Sequence, residues 1–188
     1  NKNLKESHWK DIKELVPGIE NIEEFSLKEL LELNVGKSVQ QIQEISTQAS
    51  QEAVLDREFD NLNKNWISLE FSVVPYKSER TKDLYVLTDI DELLAVLDEN
   101  LAAVNNILGS RYLKNLRTKT EELQKKILSA QKTIEDWLIC QKNWIYLENI
   151  FDAQDIKKKL QNESAQFEIV DKSFRTHMRK TNKNRILN

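Results

Sequence analysis

The chain has 188 residues, a net charge of −3, and only three glycines, two prolines and one cysteine. Average usage at this length would give about 13 Gly and about 9 Pro, and turns and phosphate-cradling loops depend on both, so a mainly α chain with few connections is predicted. The charge balance argues against a nucleic-acid backbone as partner, the lone Cys140 excludes an internal disulfide framework and fits a reducing compartment, and no apolar run approaches the ~20 residues of a membrane span.

Hydrophobic content of 39% beside 31% charged residues suits narrow apolar stripes on exposed helices better than one thick core. The expectation is an elongated bundle of long helices. Leu4, Trp9, Ile12 and Leu15 predict a short amphipathic helix, stopped by Pro17-Gly18. The chain opens inside this pattern with no signal-peptide core, as expected of a piece of a longer protein. Ser26 and Glu29 make a capping box ahead of Leu27, Leu30, Leu31 and Leu33. Asn34 and Gly36 end that helix, and Ser38 caps the next. There Val39, Ile42, Ile45, Ala49, Phe59, Leu62, Trp66 and Leu69 mark a long stripe, with a slip and a possible kink at Gln51–Asp56.

The period then changes. The runs 71–76 and 84–88 are β-branched and aromatic, separated by the polar Lys77–Asp83. They predict one β-hairpin, with Pro75 holding its strand to an edge. Asp89 and Glu92 resemble a capping box before Ile90, Leu93, Leu94, Leu97, Leu101, Val104 and Leu108, and Gly109-Ser110 breaks that helix. The longest pattern runs Leu113, Leu116, Thr120, Leu123, Ile127, Ala130, Ile134, Trp137, Gln141, Trp144, Glu148, Phe151. Its steps of three and four predict one helix of about 40 residues carrying about five heptads. A short connection at Asp152–Leu160, a last helix over Glu163–Lys180 bearing Phe167, Val170, Phe174 and Met178, and a frayed end at 181–188 complete the expectation. The predicted parts are 1–70, an N-terminal helical part; 71–88, the hairpin; and 89–188, a long-helix part.

Candidate sites are few. Gly36-Lys37-Ser38 spells the end of a P-loop, but Leu31 stands where its first glycine belongs and the preceding segment reads as helix. His8, His177 and Cys140 supply no metal set or triad. Asp89-Ile90-Asp91-Glu92 reads as an acidic helix start rather than a cation site, and the sequon Asn162-Glu163-Ser164 is inert in a reducing compartment. Lys125-Lys126 and Lys157-Lys158-Lys159 read as solvated faces. No catalytic residue, metal or cofactor is expected. The residues singled out are structural anchors, Trp66, Trp137, Gln141, Trp144 and Phe151, with Gln141 as a register-setting polar residue on the stripe. Gly36 and Gly109, in the helix breaks 34–38 and 106–111, are candidate hinges.

Several ordered blocks resemble the linker region of the dynein heavy chains. Ser7-His8-Trp9-Lys10-Asp11-Ile12 is similar to that family's Arg-His-Trp-Lys block, and Phe25-Ser26-Leu27-Lys28-Glu29-Leu30-Leu31 to its Phe-Thr-Leu-x-x-Leu-Leu block. Trp66 to Tyr85, then Asp91-Glu92, resembles its Trp…Phe…Tyr-Lys passage. The most specific stretch, 137–151, contains Gln141-Lys142-Asn143-Trp144-Ile145-Tyr146-Leu147-Glu148, and its wording is similar to axonemal forms. Asp155-Ile156 and Phe167-Glu168-Ile169-Val170-Asp171-Lys172 follow at the family's distance. Departures are Ser7 for arginine, Leu160-Gln161-Asn162-Glu163 without the common Leu-Pro, and Phe174 for tryptophan. The Phe-Pro-Arg-Phe block and the nucleotide-binding modules are absent.

The resemblance implies a non-catalytic piece of the linker, the mechanical arm that couples ATP-driven changes in the motor ring to displacement along microtubules. Implied partners are the ring and tail of the same heavy chain and other dynein subunits, with microtubules reached only through the parent motor, and no nucleic acid or membrane. The implied location is the cytoplasmic cytoskeleton and the axoneme of a cilium or flagellum. The rival expectation is a passive coiled-coil or spectrin-like cytoskeletal scaffold. The mid-chain hairpin and the lack of an internal repeat argue against it, and an independent enzyme has almost no support.

Overall fold

A computed structural model describes residues 1–18, 28, 35–77 and 83–187. The predicted helix carrying Leu27, Leu30, Leu31 and Leu33, with its Ser26/Glu29 box, lies almost wholly outside them, as does most of the hairpin loop. Among the described residues the order is α1 (Glu6–Leu15), a 3-10 turn (Val35–Ser38), α2 (Val39–Ile67), β1 (Ser72–Pro75), β2 (Tyr85–Thr88), α3 (Ile90–Leu108), α4 (Arg117–Phe151), α5 (Gln154–Lys159) and α6 (Gln161–Lys183). The architecture is mainly α with one small antiparallel hairpin, as composition and periodicity imply.

The heptad stripe becomes the inner face of α4. Thr120, Leu123, Ile127, Ile134, Gln141, Trp144, Glu148 and Phe151 are all buried. The helix is shorter than its stripe, however. It starts at Arg117, and Leu113 is buried from the turn that precedes it. Its 35 residues still span about 52 Å, more than the ~42 Å diameter of a compact 188-residue sphere. The chain exposes 13143 Å², where a compact monomer of 22.1 kDa exposes about 9300 Å². The body is therefore elongated.

In α3 the buried line is Ile90, Leu93, Leu97, Asn100, Val104 and Ile107, while Leu94, Leu101 and Leu108 are only partly covered. The apolar pattern missed Asn100 because it is polar. The Nδ2 of Asn100 is buried without a hydrogen-bond partner. Two predicted caps are not made: neither Ser38 nor Asp89 donates or accepts a side-chain cap hydrogen bond. Asp89 instead takes a left-handed backbone, φ 52, at the corner from β2 into α3.

Helix α2 is unbroken through Gln51–Asp56. The slip in its stripe has a physical cause: the inward position there is Glu52, a buried carboxylate. His8 in α1 meets it, with Nε2 3.1 Å from its Oε2, and Gln48 Nε2 donates to its Oε1 at 2.8 Å. The His8 ring also caps its own helix, since Nδ1 accepts the N–H of Lys5 at 3.1 Å. That leaves Nε2 as the donor to Glu52. Around this pair lies a small separate core of Ile12 and Val16 with Leu4, Trp9, Leu15, Val35, Ile42 and Ile45. The main core begins further along α2, at Leu55, Phe59, Leu62 and Trp66, and takes in the hairpin, α3, α4 and α6.

The chain end departs from the expected fraying. Past α6 the backbone returns to the segment before β1: Phe71 N–H donates to Arg185 O at 2.7 Å, and Leu187 N–H to Leu69 O at 2.9 Å. A bridge between Glu70 and Ile186 results. These bonds join the segment before the hairpin to the segment after α6.

Candidate functional site

The densest arrangement of specific contacts is the clamp that binds the hairpin and α6 to the second half of α4. A two-stranded hairpin is marginal alone, so something must hold it. Strands β1 and β2 pair Ser72 with Thr88, Val73 with Leu87, Val74 with Val86 and Pro75 with Tyr85. Tyr76 N–H donates to Leu84 O, so by the alternation of antiparallel ladders the N–H and C=O of Leu87 point away from β1. Gln141 takes both. Leu87 N–H donates to its Oε1 at 2.8 Å, and its Nε2 donates to Leu87 O at 3.0 Å. The side-chain amide acts as one residue of a third strand, donated by a helix.

One turn on, Trp144 is 1% exposed. Its ring stacks on Phe174 of α6 at 4.3 Å and 13°, and meets Tyr76 edge-on at 5.7 Å. Its Nε1–H donates to Asp171 Oδ1 at 3.1 Å. Asp171 also accepts from Arg175 Nε, at 2.8 and 2.7 Å to its two oxygens, and the guanidinium lies 5.9 Å above the Trp144 ring. Glu148, a further turn on, is buried and holds Lys77 Nζ, which also reaches Asn149 Oδ1 at 2.8 Å. Phe151 closes the row by stacking on Phe167 at 5.1 Å. Four residues at heptad spacing on one helix therefore grip β2, the two residues after β1, and α6.

Of the other residues singled out from sequence, Trp66 is buried in the main core. Trp137 is only partly buried, tilted against Phe71 with ring centroids 5.5 Å apart. Gly36 lies in the 3-10 turn leading into α2, and a Cβ there would meet nothing within 4 Å. Gly109 caps α3 at φ −73, and a Cβ would meet only the carbonyls of Asn105 and Asn106 at 3.5 Å. Neither backbone demands glycine. The P-loop-like Gly36-Lys37-Ser38 sits in that 3-10 turn, while Leu31 lies outside the described residues. Ser164 of the sequon is buried in α6. Among the described residues no three His, Cys, Asp or Glu side chains converge as metal ligands, and no helix is long and apolar enough to cross a membrane.

Sequence reasoning did not find Asp171, Arg175, Lys77 or the His8–Glu52 pair. The i, i+4 spacing of Asp171 and Arg175 is a readable signal for their own pairing, but not for the tryptophan they enclose.

The clamp's α4 portion falls in the stretch where the family wording is densest, and a family model described as dynein heavy chain, N-terminal region 2, matches residues 1–188. The chain belongs to that family. It is 37% identical over 185 residues, 97% of its length, to human dynein axonemal heavy chain 6. It is 32% identical over 189 residues, 100% of its length, to human dynein axonemal heavy chain 3, and 32% identical over 182 residues, 96% of its length, to mouse dynein axonemal heavy chain 2. The chain spans about 4% of the length of each of these relatives. It is thus a motor-related sequence from the N-terminal region of the dynein heavy chain family.

Proposed function

We propose that this chain is part of the dynein linker, a rigid arm that carries displacement from an ATP-driven ring toward the tail of the same heavy chain. The observation that supports this best is α4. One 35-residue helix packs with α3 along its first half and is gripped by the hairpin and α6 along its second. A helix braced along its whole length resists bending, and rigid pieces meeting at weaker junctions are what a two-position arm needs. Residues 1–70, 71–88 and 89–188 serve as its three working parts, with junctions near Gly36 and Gly109. The fragment itself performs no catalysis and holds no cofactor. Microtubules are reached through the parent motor, other dynein subunits are its neighbours, and the cytoskeleton of an axoneme is its location, in keeping with the axonemal names of its relatives.

The test is Leu128→Pro in the parent heavy chain. Leu128 is exposed about a third of the way along α4, and an interior proline breaks a helix at about 3 kcal/mol. ATP turnover should stay near wild type while microtubule gliding slows severalfold. Unchanged gliding, with circular dichroism showing the helix broken, would favour the passive-scaffold reading.

A further inference from the structure

Trp137 differs from Trp144 in separating two apolar hollows. One, of about 600 Å³, is lined by Trp66, Phe71, Ala130 and Trp137 with Lys125 and Lys126. The other, of about 460 Å³, lies between α4 and α6 and is lined by Trp137, Cys140, Ile169, Val170 and Phe174 with His177. Together they follow α4 from Lys125 to Cys140, about 22 Å of helix rise. Val170, expected on the inner stripe of α6, is 49% exposed, and its neighbour Ile169 is 72% exposed. Single exposed apolar residues are ordinary, whereas an apolar strip continuous with a hollow marks a binding surface.

The charged side chains that line the two hollows have one sign. No Asp or Glu is among the described residues lining either hollow. Residues 172–188 contain six Lys and Arg and no carboxylate, although the whole chain carries −3. Lys180 follows His177 by three and Ser173 by seven, on the same helix face, and is exposed like Lys125 and Lys126.

We propose that the trough seats an acidic amphipathic helix from elsewhere in the same heavy chain. Its apolar stripe covers Trp137 and Val170, and its carboxylates face Lys125, Lys126 and Lys180. Helix-in-groove recognition uses apolar anchors at i, i+3, i+4 and i+7, and 22 Å accommodates about 15 residues. The choice of a segment in cis rests on reading the chain as one piece of a heavy chain. The chain spans about 4% of its relatives' length, so most of such a protein is tethered to this surface, and tethering raises effective concentration without new contacts.

Cys140, exposed and within the trough, reports on occupancy. Its alkylation by a maleimide is followed by mass spectrometry of its peptide. In the 188-residue chain labelling should be fast. In the full-length heavy chain, prepared free of other subunits, it should be at least tenfold slower. The combined Lys125→Glu, Lys126→Glu and Lys180→Glu variant of that heavy chain should regain most of the fast rate. Equal rates in chain and heavy chain would overturn the proposal, as would protection that appears only when other subunits are added. A second arm uses a 15-residue helical peptide of Leu anchors and Glu elsewhere, followed by the indole resonance of Trp137. Substituting Lys for its Glu residues should weaken binding at least tenfold, and equal binding would remove the charge argument. The gliding assay of Leu128→Pro is read separately, so an open Cys140 sinks the trough while leaving the arm reading intact.

Discussion

Trp144 carries more specific contacts than any other single side chain of the clamp, and truncating it removes them together. Trp144→Ala should cost roughly 3–5 kcal/mol, the range for large buried aromatics, read as a lower thermal midpoint of the 188-residue chain. Trp144→Phe keeps the stacking on Phe174 but deletes the bond to the Asp171 carboxylate and leaves part of the indole volume unfilled, so it should lose about 1.5–3 kcal/mol. Gln141→Leu is nearly isosteric, yet it strands the N–H and C=O of Leu87 that the amide now satisfies. Each buried unsatisfied group costs about 1–3 kcal/mol, so this conservative-looking change should destabilise by about 2 kcal/mol or more in urea melts. Glycines divide by backbone. Gly18 has φ 109, where a side chain is strained, and Gly18→Ala should cost about 1–3 kcal/mol locally. Gly36→Ala and Gly109→Ala have room and ordinary backbones, and should keep or raise the melting midpoint by up to about 1 kcal/mol. Any hinge at those two glycines therefore works through the weakness of their surroundings, not through glycine's special geometry.

Elements differ in how firmly they are held. Helix α1 rests on a small core of its own, joined to α2 through His8 and Glu52, whereas α4 runs through the main core from Leu123 to Ile145. Regions with few buried contacts open independently of the global fold. Native-state hydrogen exchange should therefore show α1 amides far less protected than those of α4. His8→Ala takes the imidazole away from buried Glu52, which keeps its bond from Gln48, and should raise α1 exchange further while leaving the main melt unchanged. A single transition in which α1 and α4 lose protection together would show that the two cores behave as one unit.

On the scale of the molecule, the length of α4 and the surface area require an elongated particle. Small-angle scattering should give a radius of gyration clearly above the ~16 Å of a compact 188-residue globule. A value at 16 Å would mean that the helices fold back on one another in solution.

Much of this was written in the sequence because helix periodicity is local. The stripe from Thr120 to Phe151 became the buried face of α4, and the β-branched runs paired as one hairpin, since spacing and side-chain branching act within a few residues of themselves. Gly and Pro poverty was enough for the fold class. Tertiary structure decided whatever depended on partners distant in the chain. Glu52 looked like a flaw in a stripe until His8 met it from 44 residues away, and Asn100 is inward because of where α3 lies, not because of its chemistry. The final residues read as frayed because they are polar, yet their backbone bonds to residues 69–71 are indifferent to side chains. Trp137 and Trp144 are one heptad apart and alike in the sequence. Only the packing of α6 seals one and leaves the other at the edge of an open trough, because a repeating pattern specifies which face turns inward but not how much of it a neighbour covers.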